Sequence, residues 1–209
     1  MPPGFFFLRS RGAAVRVLTG LLALAGSLVF SRGLSAIEVE PSRGQIEAAL
    51  ERGKAAAKAK IPPDQLYAWF GSSNDLDPRG FLMTKLVGLA VMSAHFALRS
   101  ETPSEGEISQ ILNDRSLLVS VVIFGEQPDF AVDSYMVMTQ GERLIKPIKL
   151  RFDGTAARSS VWPRSPAYRA KIVASFSYAD FDPRARTTLS VFPARGGEVT
   201  FDLDFGQIE

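Results

Sequence analysis

The chain contains no cysteine. Disulfide staples, thiolate metal sites, thiol nucleophiles and a lipid-modified N-terminal cysteine are therefore excluded, and stability has to rest on packing alone. Histidine is nearly absent too, His95 being the single one. One imidazole without a thiol cannot assemble the several nitrogen or sulfur ligands that hold zinc. There is no Gly-x-Ser-x-Gly elbow and no serine three residues ahead of a lysine, so the common hydrolase nucleophile and the Ser-x-x-Lys dyad are missing. What is left for catalysis is a small hydrolase of unfamiliar type using His95 or an Asp pair. A lone histidine inside the apolar stretch 91–98 reads first as a structural residue. No cofactor is implied, and the expectation is a non-enzymatic protein.

Acidic residues are missing from the N-terminus, where none precedes Glu38 while Arg9, Arg11 and Arg16 form a positive region. The apolar run 17–30 that follows has the length of a signal-peptide core and falls short of a membrane span. Gly33-Leu34-Ser35-Ala36 offers small residues ahead of a cut, so residues 1–36 read as a cleaved signal and the mature chain as starting near Ile37. Leu34 in the minus-three slot is the feature that suits the alternative, an uncleaved anchor. Arg9 and Arg11 are separated by Ser10, which is not a twin-arginine pair. The protein is expected in the periplasm or the medium, with no stable membrane insertion once the signal is removed. The first 36 residues hold four arginines and no acid, so the mature chain has 20 basic against 22 acidic residues. The net positive charge of the full chain thus belongs to the leader and gives no footprint for nucleic acid.

Beyond the signal the expected organisation is an N-terminal helix and connector over 37–63 and a β-sandwich domain over 64–209. Ser42 and Gln45 have capping-box spacing ahead of a helix from about 43 to 60, which Ile61-Pro62-Pro63 stops. Tyr67, Trp69 and Phe70 form an aromatic cluster that either faces a ligand or docks a helix onto a sheet. Residues 81–98 meet helical spacing in part, but their β-branched content and small residues favour a long buried strand. Ser104 and Glu107 cap a short inserted helix through Leu112.

From Ser116 onward the period is two. Residues 117–124 read as a strand buried on both faces. Segments 134–139 and 142–152 flank a Gln140-Gly141 hairpin turn, with Leu144, Ile148, Leu150 and Phe152 on one parity and Pro147 marking an edge or bulge. In 167–178, Tyr168, Ala170, Ile172, Ala174 and Phe176 face inward and Arg169 and Lys171 outward. In 198–205, Val199, Phe201, Leu203 and Phe205 face inward and Asp202 and Asp204 face water. Short strands with turns every eight to twelve residues point to a mainly β fold, an antiparallel sandwich of immunoglobulin-like type.

The segments Gly125-Glu126-Gln127-Pro128-Asp129-Phe130-Ala131, Tyr178-Ala179-Asp180-Phe181-Asp182-Pro183 and Glu198-Val199-Thr200-Phe201-Asp202-Leu203 resemble exported bacterial β-sandwich proteins of unassigned function. The resemblance covers the last hundred or so residues. It implies a fold and a bacterial source, and brings no activity or site residue with it.

Calcium needs only oxygen ligands, and three loops supply them: Asn74, Asp75 and Asp77; Asp129 and Asp133; Asp180 and Asp182. Turns use the same residues to bond their own backbone, none of these runs has the EF-hand pattern, and no metal is expected. Charge is distributed unevenly: residues 142–195 carry eleven basic and four acidic side chains. Within them, Lys149 with Arg151 and Arg169 with Lys171 have the i, i+2 spacing that puts both charges on one strand face. These four are the candidate binding residues, for a protein or an anionic envelope polymer. The alternative is a solvated face neutralised by acids of the N-terminal half. Protein purified from a secreting host is expected to begin near Ile37; intact mass checks this, and a full-length mass in the membrane fraction would contradict soluble export.

Overall fold

Period-two alternation becomes ten antiparallel strands in two sheets over residues 37–208, the part of the chain that this computed structural model describes. The expected signal over 1–36 lies outside those residues. Sheet A runs in the order β1 (Ala68–Gly71), β2 (Arg79–Met83), β3 (Ser116–Gly125), β8 (Tyr168–Ser177) and β6 (Lys149–Phe152), with the two-residue β7 (Ala157–Arg158) also paired to β8. Sheet B runs β10 (Val199–Asp204), β9 (Arg186–Phe192), β4 (Tyr135–Gln140) and β5 (Arg143–Ile145). Inward side chains of both sheets share one core, in which Val121 and Ile172 come from sheet A and Met138, Leu189 and Phe201 from sheet B. The alternation read in 167–178 and 198–205 therefore holds, with Ala170, Ile172, Ala174 and Phe176 buried and Arg169, Lys171 and Asp202 exposed.

Both capping boxes form. Ser42 opens α1 (Arg43–Lys58), its N–H donating to Gln45 Oε1 at 2.8 Å, and Ser104 opens α3 (Glu105–Leu112), its N–H donating to Glu107 Oε2 at 2.7 Å. That bond also holds the Glu107 carboxyl below its ordinary pKa.

Three expectations are corrected. Residues 81–98 are not one strand: β2 ends at Met83, the Thr84 hydroxyl accepts from the Val87 N–H at 3.2 Å, and α2 (Lys85–Leu98) follows. The small residues that suggested a buried strand serve a helix seam instead. Ala90 and Ala94 of α2 are fully buried, the Ser93 hydroxyl donates to the Leu50 carbonyl at 2.7 Å, and a Cβ on Gly53 of α1 would collide with the Ala90 carbonyl. Close approach of two helix backbones requires small side chains at the contact, whatever their strand propensity.

Second, 142–152 is not one hairpin arm. The turn forms as expected, with Gln140 opposite Arg143 and Gly141 at φ +59°, but β5 stops after three residues. The chain then crosses at Pro147 to sheet A, where β6 pairs with β8. Proline cannot donate to a ladder, and the crossover leaves Leu144 and Ile148 exposed rather than inward. Third, β3 is not buried on both faces. Leu117, Val119, Val121 and Ile123 are fully enclosed, whereas Leu118, Val122 and Phe124 on the outer face are half-exposed.

Phe201 packs edge-on against Phe70 with centroids 5.0 Å apart, while exposed Asp202 accepts from the Thr188 hydroxyl at 2.8 Å. Phe201→Asp is therefore expected to cost roughly 3 kcal/mol or more by burying an unpaired carboxylate, and Asp202→Phe roughly 1 kcal/mol or less. Thermal denaturation of both variants checks this; equal shifts would refute the register Phe201↔Leu189.

Candidate ligand-binding groove

The outer face of sheet A is made by alternate residues of five strands, and the ladders bring them into rows. One row is Trp69, Phe81, Ser120, Val173 and Arg151; the next is Gly71, Arg79, Val122 and Lys171. Phe124 and Arg169 sit opposite each other one step on. All four candidate cations thus lie on one face of two neighbouring strands. Lys149 is opposite Ser175 and Arg151 opposite Val173, which makes Arg151 and Lys171 diagonal neighbours about 7–8 Å apart. The four side chains are exposed, and among the described residues none forms an ion pair. Of the acids of the N-terminal half, Asp64 comes to the same side of the sheet as Arg169 and Lys171 without forming an ion pair with them among the described residues.

Beside the cations the face sinks into an open groove of about 430 Å³. Ser120 and Val122 form its floor. Tyr67, Trp69 and Phe81 form one wall, and Arg169, Lys171, Asp153 and Ala157 the other, with Asp64 and Arg79 also lining it. The aromatic wall is rigid: Tyr67 stacks on Phe81 at 4.2 Å, Trp69 meets Phe81 edge-on at 5.4 Å, and the indole N–H donates to the Asp64 carbonyl at 2.8 Å. Trp69 remains 48% exposed, so a flat apolar surface stays open to a ligand. Arg79 lies 5.8 Å from the Trp69 ring and is tied to Asp75 at 2.7 Å. Asp153 accepts from the Lys171 backbone N–H at 2.8 Å, which anchors the end of β6 while leaving the Lys171 ammonium free.

The aromatic cluster expected at 67–70 is divided by strand parity. Tyr67 and Trp69 face outward, Tyr67 also touching the buried cluster of α1 and α2, whereas Phe70 turns inward onto Phe201. Phe81, Arg79, Ser120, Val122, Asp64 and Asp153 were missed, because their placement follows from strand order and not from spacing within any one segment. The available signal was apolar outward residues on a central strand that nothing in the sequence covers.

His95 is exposed in the last turn of α2, with no hydrogen-bonded hydroxyl or carboxylate among the described residues, and a positive charge there suits the helix C-terminus. Among the described residues no dyad or triad is assembled around His95. The aspartate loops are occupied locally: Asn74 accepts from the Leu76 N–H, Asp77 from the Ser72 hydroxyl and Asp182 from the Arg184 N–H, and Asp129 pairs with Arg195. Among the described residues no three His, Asp or Glu side chains gather as a metal site. A second cleft, of about 420 Å³, lies between α2, α3 and the end of sheet A, where the buried Lys85 ammonium donates to the Leu112 carbonyl. The Tyr178 phenol borders it, with its pKa pushed far up by burial and then by Asp114; it stays neutral, and its buried hydroxyl has no hydrogen-bond partner among the described residues. No family model matches the chain, and comparison with curated proteins gives no match.

Proposed function

We propose that this protein is an exported, non-enzymatic binding module of immunoglobulin-like type that holds an anionic envelope polymer on the outer face of sheet A. The observation that carries the reading is the set of four exposed cations, Lys149, Arg151, Arg169 and Lys171, on one face of two hydrogen-bonded strands and without an ion-pair partner among the described residues. Stability does not call for such an arrangement, since exposed charges contribute roughly 0–1 kcal/mol each and like charges side by side repel. A polyanion compensates all four together, by releasing its own counterions to the solvent. The strand order supports the immunoglobulin-like reading: β2-β3-β8-β6 against β10-β9-β4-β5 corresponds to A-B-E-D against G-F-C-C′, with β1, α2 and α3 as additions before and after the first of these strands. The arginine-rich, acid-free leader and the resemblance to exported bacterial sandwiches support a periplasmic or secreted location.

Lys149→Glu combined with Lys171→Glu is expected to leave the melting temperature nearly unchanged and to abolish retention on immobilised heparin at low salt. Wild-type retention should fade as added salt shortens the screening length to about 10 Å at 0.1 M. Chromatography with parallel thermal denaturation checks this; absence of wild-type retention at low salt, or unfolding of the double variant, would overturn the reading.

A further inference from the structure

We propose that the polymer is an acidic polysaccharide, with a sugar ring stacked on Trp69 and the carboxylates of uronic acid residues held by Lys171 and Arg169 in the groove and by Arg151 and Lys149 beyond it. The assignment rests on the reading that this face takes a polyanion, and it is carried by groups that charge alone does not require. Trp69 offers a flat apolar surface to solvent, fixed in orientation by its bond to the Asp64 carbonyl and by Phe81. The C–H face of a pyranose matches such a surface; a bare phosphate chain has nothing to place on it.

Two acidic residues, Asp64 and Asp153, also line the groove. Only one oxygen of Asp153 is engaged, by the Lys171 N–H, and Asp64 uses only its backbone carbonyl toward Trp69. Free carboxylate oxygens accept from hydroxyl donors, which a polyphosphate chain lacks, whereas a uronate supplies hydroxyls for Asp64 and Asp153 and carboxylates for the cations. The geometry fits a chain laid across the strands. From Trp69 on β1 to Arg151 on β6 there are four strand spacings of about 4.8 Å, about 19 Å in all, the reach of an oligosaccharide rather than one sugar.

The test uses purified protein carrying Trp162→Phe, which leaves Trp69 as the only tryptophan; Trp162 lies outside the groove, under the Arg158 guanidinium at 3.9 Å. Polygalacturonate, neutral dextran, inorganic polyphosphate and a single-stranded oligothymidylate are titrated at low salt. Polygalacturonate is expected to bind tightest and change Trp69 emission, with dextran silent. Trp69→Ala, read by calorimetry, should weaken polygalacturonate by about tenfold or more while leaving polyphosphate binding unchanged. Equal binding of polyphosphate and polygalacturonate with no response at Trp69 would overturn the sugar assignment and leave the polyanion reading standing. Tighter binding of the oligothymidylate would replace the sugar with a nucleic acid. Retention of none of the polyanions would remove both readings. The emission measurement keeps Trp69 in place, so it decides the matter even if Trp69→Ala fails to fold.

Discussion

The ladder between β3 and β8 governs both the core and the groove. It joins two ten-residue strands along their full length, from Ser116↔Ser177 to Gly125↔Tyr168. Because side chains alternate across a sheet, this register sends Val121 and Ile172 into the sandwich and Val122 and Lys171 to the outer face. A slip by one residue would exchange the two sets, placing Lys171 in a core that has no partner for it. Burial of the inner face is strong enough to forbid that slip. The position of the cations is therefore a consequence of the hydrophobic pattern on the opposite face, and in a cysteine-free chain that pattern is also what supplies stability.

The groove exists because the helical layer covers only part of sheet A. α2 enters between β2 and β3 in the sequence and packs on α1 through Gly53, Ala90 and Ala94. The second cleft brings Met83 and Leu118 of the sheet next to Met92 of α2 and Ile111 of α3, so this end of the outer face lies under helices. Further along β3, Ser120 and Val122 line the groove instead. They form the floor of a depression bounded by the aromatics of β1 and β2 on one side and the cations of β8 on the other. Half-exposed apolar side chains on a central strand are costly to leave in water, and a ligand that covers them recovers part of that cost.

Local and period-two features were legible in the sequence. The two serine caps, the glycine turn at 141, the alternation in β8 and β10 and the outward direction of the four cations all depend on residues within a few positions of one another. What could not be read depends on distant partners. Ala90 and Ala94 suit a strand or a helix equally until α1 is known to lie against them, as does Gly88 until Ile111 of α3 is known to lie against it, and a threonine N-cap at position 84 is a weaker mark than the two full boxes. Pro147 signalled an interruption, but whether the chain bulges or changes sheets is decided by which strand offers a free edge, here β8. The groove was the least legible element, since its walls come from residues nearly a hundred positions apart and meet only once the strand order is known.

The distribution of ion pairs separates charges that serve the fold from charges left free. Arg43 with Glu47, Lys54 with Glu51, Arg79 with Asp75 and Arg99 with Glu101 are local pairs, and Arg186 with Asp204 and Arg195 with Asp129 link neighbouring parts of sheet B and its loops. Six arginine or lysine side chains thus have partners, whereas the four on β6 and β8, like most other lysines and arginines, have none among the described residues, although Asp153 stands beside Lys171. One oxygen of its carboxylate bonds the Lys171 backbone N–H instead, which helps to hold the end of β6 in place. The two parts of the face then respond differently to their surroundings. The cations act through a field that salt screens within about 10 Å at 0.1 M, whereas contact with Trp69 depends on apolar area and survives that screening. On the function proposed above, a face combining both would gather a polyanion at long range and distinguish among polyanions only at contact, with selectivity in the aromatic wall and capture in the strands that carry the charge.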